Sequence, residues 1–207
     1  MFWPSVCVCC SAVGEALCAQ CMPLGRMWRP GQGNGVPDVL AWASYRSEVG
    51  VGVRRAKDDA DGAALRVLAR AMARAMPEMG GIHLTLVPVP STSWSIWKRG
   101  FAPASVVAHT LGRQWALPVA DVLGRHRGSS QRGLGREARL RNLTDQLYVR
   151  GARPEGCLLL VDDVVTTGAS AQAAATVLGR ERVLGIVSLC VVRRKAEVGH
   201  SDGACTD

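Results

Sequence analysis

Cys157–Ser170, CLLLVDDVVTTGAS, is the stretch on which the fold turns. Leu158–Val161 is a short, continuous apolar run, the pattern of a strand buried on both faces of a parallel sheet. Two carboxylates follow, Asp162 and Asp163, and then Val164 and Val165. Thr166, Thr167, Gly168, Ala169 and Ser170 close the segment and lead into an alanine-rich helix from Ala169 to about Leu178. The expected class is therefore α/β, with a parallel-sheet core flanked by helices.

Each part of this stretch has a chemical use. A turn that enters a helix offers unpaired backbone N–H groups and the positive end of the helix dipole, which suits a phosphate. Gly168 lets the backbone approach closely, and the hydroxyls of Thr166, Thr167 and Ser170 add donors. Asp162 and Asp163 stand outside the carboxyl end of a strand, where open α/β sheets bind ligands, and can accept hydrogen bonds from a vicinal diol. Diol on the aspartates and phosphate on the turn make a ribose 5-phosphate site. The P-loop pattern GxxxxGK[ST] occurs nowhere in the chain.

Outward from this stretch, 207 residues with 48% hydrophobic and 20% charged side chains suffice for one globular domain and a small appendage. The longest apolar run, Val183–Val192, is too short for a membrane span, so no membrane insertion is expected. The start, MFWPSVCVCC, has no basic segment followed by a long apolar one, and a cytoplasmic protein is expected. A net charge of +8 favours polyanionic partners.

Ile82–Val89 is a second buried-strand candidate, ending in the turn-forming Pro88-Val89-Pro90, and Arg182–Val192 a last strand. Ala63–Met76 has the apolar spacing of a helix stopped by Pro77, with Arg66, Arg70 and Arg74 on one polar face. Pro103–Trp115 reads as a helix with proline in its first turn, and Leu117–Leu123 as a short strand. In Val39–Asp59, Gly50 and Gly52 suggest a strand and turn before the basic cluster Arg54, Arg55 and Lys57. Gly25–Pro37, rich in glycine and proline, reads as a linker; its GxGxG run is neither preceded by a strand nor spaced as GxGxxG. The expected divisions are an N-terminal segment 1–24, a linker 25–37, the main domain 38–195 and a disordered tail 196–207.

Five of the eight cysteines lie within the first 21 residues. Cys7-x2-Cys10 and Cys18-x2-Cys21 form two knuckles, and the short separation suits a closed, structural Zn²⁺ site with four thiolate ligands. Cys9 is the alternative to Cys10, but the two-residue spacing favours Cys10. Arg125–Arg141 holds six arginines against one acid, Glu137. Such a segment suits a loop that closes over a pyrophosphate, and equally a surface that holds a nucleic-acid backbone. For Trp94 and Trp97, beside Lys98 and Arg99, core packing is the expectation and a base-stacking platform the alternative.

LLLVDDVVTTGAS resembles the signature of type I phosphoribosyltransferases, proteins that bind phosphoribosyl pyrophosphate (PRPP). The order of two CxxC knuckles, a tyrosine–lysine segment (Tyr45, Lys57), VPVP, Arg99-Gly100-Phe101, a basic loop (Gln131, Leu134, Arg139, Asn142) and VDDVVTTG resembles the ComF competence family over roughly residues 7 to 194. The resemblance implies a type I phosphoribosyltransferase fold behind a zinc knuckle, with Asp162 and Asp163 on the ribose and Thr166–Ser170 on the 5-phosphate. It implies Mg²⁺ accompanying PRPP, catalytic roles for Arg99 and Arg139 if transfer occurs, and a part in uptake of single-stranded DNA beside other competence proteins. Where the family has Asn-Gln after Arg-Gly-Phe this chain has Ala102-Pro103, and Ser129-Ser130 replaces the threonine–proline before Gln131.

Overall fold

The computed structural model describes residues 5–31, 35–76, 83–126 and 143–192. Its frame is a five-stranded sheet of order β1-β2-β7-β6-β3. The strands are β1 (Met27–Arg29), β2 (Val39–Ser44), β3 (Leu84–Pro88), β6 (Cys157–Val165) and β7 (Val183–Val191). β2, β7, β6 and β3 run parallel, and β1 is an antiparallel edge. A separate hairpin pairs β4 (Leu123–Arg125) with β5 (Leu147–Val149).

The apolar run of β6 is buried on both faces because helices cover both. Leu159 and Val161 pack with α1 (Glu48–Asp58), α2 (Gly62–Ala75) and α4 (Pro103–Trp115). Leu158 and Leu160 face the other core, with Ala171, Ala174 and Leu178 of α5 (Ala169–Leu178) and Leu123 and Leu147 of the hairpin. Full burial of each such leucine contributes about 1.5–3 kcal/mol. The expected α/β class with a parallel-sheet core flanked by helices is the one the chain adopts.

The two helices read from periodicity and proline are present. Asp61 caps α2 by accepting from Ala63 N and Ala64 N at 2.8 and 3.0 Å. Arg66, Arg70 and Arg74 are exposed on its outer face, and α4 begins at Pro103.

Three local expectations are corrected. The strand and turn expected in Val39–Asp59 are present, as β2 and a turn at Tyr45 and Arg46, but Gly50 and Gly52 take no part in them and lie inside α1. Their signal was close packing: a Cβ at Gly50 would stand 2.1 Å from the carbonyl oxygen of Tyr45, and one at Gly52 2.8 Å from Cys9 Sγ. The stretch read as a linker contains β1, which pairs with β2. The short strand expected over Leu117–Leu123 is reduced to a bridge between Val119 and Leu86, with β4 beginning at Leu123. Arg139, Gln131, Leu134 and Asn142 of the basic loop, and the tail 196–207, lie outside the described residues.

Candidate sugar-phosphate cleft and metal centre

β6 delivers Asp162 and Asp163 to the carboxyl end of the sheet, beside the end of β3. They border a cleft of about 290 Å³ whose other walls include Lys57, Thr92, Arg99 and Arg125. Asp163 is buried, whereas Asp162 is partly open to the cleft. Asp162 Oδ1 accepts the Asp163 backbone N–H at 2.9 Å, which fixes one carboxylate against the other. Burial, and then the negative charge of Asp163, push the Asp162 carboxyl well above the usual carboxylate range, against the smaller opposing pull of Lys57.

Three cations from three elements face this pair. Lys57, in the last turn of α1, forms an ion pair with Asp163. Its carbonyl accepts from Arg99 Nε at 3.2 Å, which ties the end of α3 (Ser93–Arg99) to α1. Arg125 of β4 donates Nε and Nη2 to Gln146 Oε1 at 3.1 and 3.0 Å, and burial lowers its pKa. Arg99 was expected here; Arg125 was seen in the sequence only as one of a run of arginines. Tyr45 is not among the described residues lining the cleft; Arg54 lies 4.9 Å from its ring centroid.

Thr166–Ser170 forms a second hollow of about 50 Å³ at the start of α5. The first N–H groups of a helix have no partner within it, so a small anion is favoured there. Gly168 sits at φ +82°, and a Cβ on it would stand 2.6 Å from Val36 Cγ1, so glycine is required on both counts. Thr167 Oγ1 accepts from Ala169 N at 3.3 Å. Behind the loop, buried Arg29 of β1 donates Nη1 to the carbonyl oxygen of Thr166 at 2.8 Å. Asp162 and Ser170 border both hollows, so the small hollow and the cationic cleft meet at these two residues.

Arg29 and Val36 were missed by sequence reasoning. They lie in the presumed linker, and Arg29 meets its acceptor 137 positions away, so no spacing announces the contact. The two expected roles of Trp94 and Trp97 also separate. Both are exposed, at 69% and 75%, and their rings stack at 5.1 Å between centroids, so neither is a core residue.

The N-terminal segment folds back so that the Sγ atoms of Cys7, Cys10, Cys18 and Cys21 lie within 4.8 Å of one another. Cys10 Sγ and Cys18 Sγ are 3.7 Å apart. A tetrahedral ion with metal–sulfur bonds of about 2.3 Å needs sulfurs about 3.8 Å apart, and all four cysteines are free. Burial raises Cys7, but the backbone N–H groups of Cys10, Cys18 and Cys9 together outweigh it and hold the thiol at about 6. The group can therefore hold a metal ion. Cys9 is outside it: the side chain is buried toward α1, where burial pushes its thiol up to about 12.

No helix among the described residues is long and apolar enough to cross a membrane. No protein-family model matches the chain. It is similar to Competence protein F of Haemophilus influenzae, with 28% identity over 136 residues, which cover 61% of this chain and 58% of that protein. The paired cysteines, the Arg-Gly-Phe and the VDDVVTTG stretch thus resemble the ComF family in a chain that is also similar, over more than half its length, to a competence protein.

Proposed function

We propose that the protein binds PRPP in this cleft and acts, as a ComF-type protein, in the uptake of single-stranded DNA. The observation that carries the reading is the junction of the two hollows at Asp162. A ligand with a phosphate at one end, a diol in the middle and a pyrophosphate at the other fits that order of chemistry. The 5-phosphate takes the N–H groups and hydroxyls of Thr166–Ser170, and the ribose hydroxyls donate to Asp162 and Asp163. The pyrophosphate meets Lys57, Arg99 and Arg125. Magnesium bound with PRPP would supply further positive charge at the pyrophosphate, and carboxylate oxygens of the kind on Asp162 and Asp163 suit so hard an ion. In the same reading Cys7, Cys10, Cys18 and Cys21 hold zinc as a structural ion.

Single-stranded DNA is the proposed partner because the stacked Trp94 and Trp97 are exposed next to Lys98, on a helix whose inner side borders the cleft. Stacking on each such aromatic is worth about 1–3 kcal/mol per base. A cytoplasmic location beside other competence proteins accompanies this reading.

A second reading, transfer of the phosphoribosyl group to a nucleobase or amine, is favoured by the cations gathered where pyrophosphate would leave. In it Arg99 and Arg125 hold the departing pyrophosphate, and Asp162 keeps the ribose oriented while positive charge develops at the anomeric carbon. Arg139 of the basic loop joins them on the resemblance alone.

The test is calorimetric titration of the purified protein with PRPP and Mg²⁺, repeated with ribose 5-phosphate and pyrophosphate. PRPP is expected to bind more tightly than either fragment; equal or absent binding removes the reading. Pyrophosphate release in the presence of a candidate acceptor decides for the enzyme, and its absence across nucleobases and amines decides for the binding module.

A further inference from the structure

The cysteine cluster and the cleft are joined by a single helix, α1. At Gly52 the helix backbone comes so near the knuckle that a Cβ would stand 2.8 Å from Cys9 Sγ and 3.3 Å from the carbonyl oxygen of Val8. Cys9 is 1% exposed and sits between Cys7 and Cys10 in the chain, so its position is set by the residues that hold the metal. Three residues after Gly52, Arg55 Nη1 donates to the carbonyl oxygen of Cys9 and to Ser11 Oγ, both at 2.9 Å. Two residues further, Lys57 pairs with Asp163 and accepts from Arg99 Nε. Within about one and a half turns the helix passes from the knuckle to two of the three cations of the cleft.

We infer that Gly52 and Arg55 are positioning residues: through them the metal-bound knuckle sets the axial position and rotation of α1, and so places Lys57 and Arg99 against the acidic pair. The inference rests on the reading of the cleft as a PRPP site. Val49, Val53 and Ala56 are fully or almost fully buried and hold the helix to the core whatever Arg55 does. Arg55 itself is exposed and adds no core packing. Its loss therefore leaves the helix folded but releases its last turn from the knuckle, and an ångström of freedom at Lys57 is enough to weaken a charged contact. A knuckle that served only as a separate binding module would need neither the glycine contact nor the arginine bridge.

The experiment uses the full chain with its metal, and PRPP with Mg²⁺ as the probe. Arg55→Ala is expected to weaken PRPP binding on the order of threefold to tenfold, and Arg55→Lys, which keeps a donor toward Cys9, to restore part of it. In a Lys57→Met background, Arg55→Ala is expected to cost clearly less, because only the part that acts through Arg99, held by the backbone carbonyl of residue 57, remains. Equal losses in both backgrounds, or none in either, overturn the inference. Hydrogen exchange gives an independent reading at the amides of residues 55–58: Arg55→Ala, and removal of the metal by a chelator, are each expected to speed exchange there while α2 keeps its protection. If the native protein binds no PRPP, the reading of the cleft falls and exchange alone judges the coupling; unchanged protection of α1 then overturns it.

Discussion

The two halves of the cleft are built in opposite ways. The half that carries the acidic pair and the helix-entry turn comes from one uninterrupted stretch, Asp162–Ser170, in which strand, turn and helix follow each other. The cationic half is assembled from Lys57 on α1, Arg99 on α3 and Arg125 on β4, which share no local pattern. The first depends on backbone geometry that only certain residues adopt, and the second on long side chains whose place is set by how distant elements pack. The contiguous half should therefore fail abruptly on substitution, and the dispersed half by degrees.

The largest expected effect tests that contrast directly. Asp162→Asn together with Asp163→Asn removes both charged acceptors, each worth about 1.5–3 kcal/mol as a charge-assisted hydrogen bond. PRPP affinity is expected to fall at least on the order of a hundredfold by calorimetry, with the circular dichroism spectrum unchanged. Arg99→Ala or Arg125→Ala alone is expected to cost on the order of tenfold, because the remaining cations still face the same anion. If either single arginine costs as much as the acidic pair, the halves do not differ in kind.

Gly168 sharpens the comparison from the phosphate side. Alanine there must hold φ near +82°, at about 1–2 kcal/mol, and must also displace Val36, whose Cγ1 would stand 2.6 Å from the new methyl. Gly168→Ala is expected to weaken ribose 5-phosphate binding about tenfold or more. Adding Val36→Ala relieves the collision but not the backbone strain, so it should recover part of the loss. Full recovery would assign the effect to crowding alone, and no recovery to backbone conformation alone.

The contrast also sets what was legible in the sequence. β6, β3, β7, α2 and α4 were readable because runs of apolar residues, alanine spacing and Pro103 act locally. The placement of the acidic pair at a strand end and of the turn before a helix was readable for the same reason, since all of it lies within one short segment. The four cysteines, with Cys10 chosen over Cys9, followed from spacing, and their sulfurs do converge. What sequence could not deliver was every feature created by approach. Gly50 and Gly52 read as breakers, although they are helical residues pressed against Tyr45 and Cys9. Arg29 and Val36 read as linker, although they support the Thr166–Gly168 turn from behind. Trp94 and Trp97 read as core by residue type, although α3 buries none of its residues.

The smallest effect concerns stability, and it separates the two members of the acidic pair. The Asp162 carboxyl is held above the usual carboxylate range by burial and by Asp163. Below the ordinary carboxylate value it is protonated both folded and unfolded, and contributes nothing. Between that value and its raised value the folded protein keeps a proton that the unfolded chain has shed, so stability falls as pH rises through this window. The loss is complete once pH has passed the raised value. Asp162→Asn removes it while keeping an oxygen that can accept from Asp163 N, so the variant should melt slightly above the native protein at neutral pH. The gap should close as pH falls to the ordinary carboxylate value. The difference between the two melting curves is the useful quantity, because the Lys57–Asp163 ion pair is present in both and cancels. A gap independent of pH, or a variant less stable at neutral pH, would mean that Asp162 carries no such burden. A gap of the expected sign would show a carboxylate whose charged form destabilises the fold, as expected where a site's chemistry opposes stability.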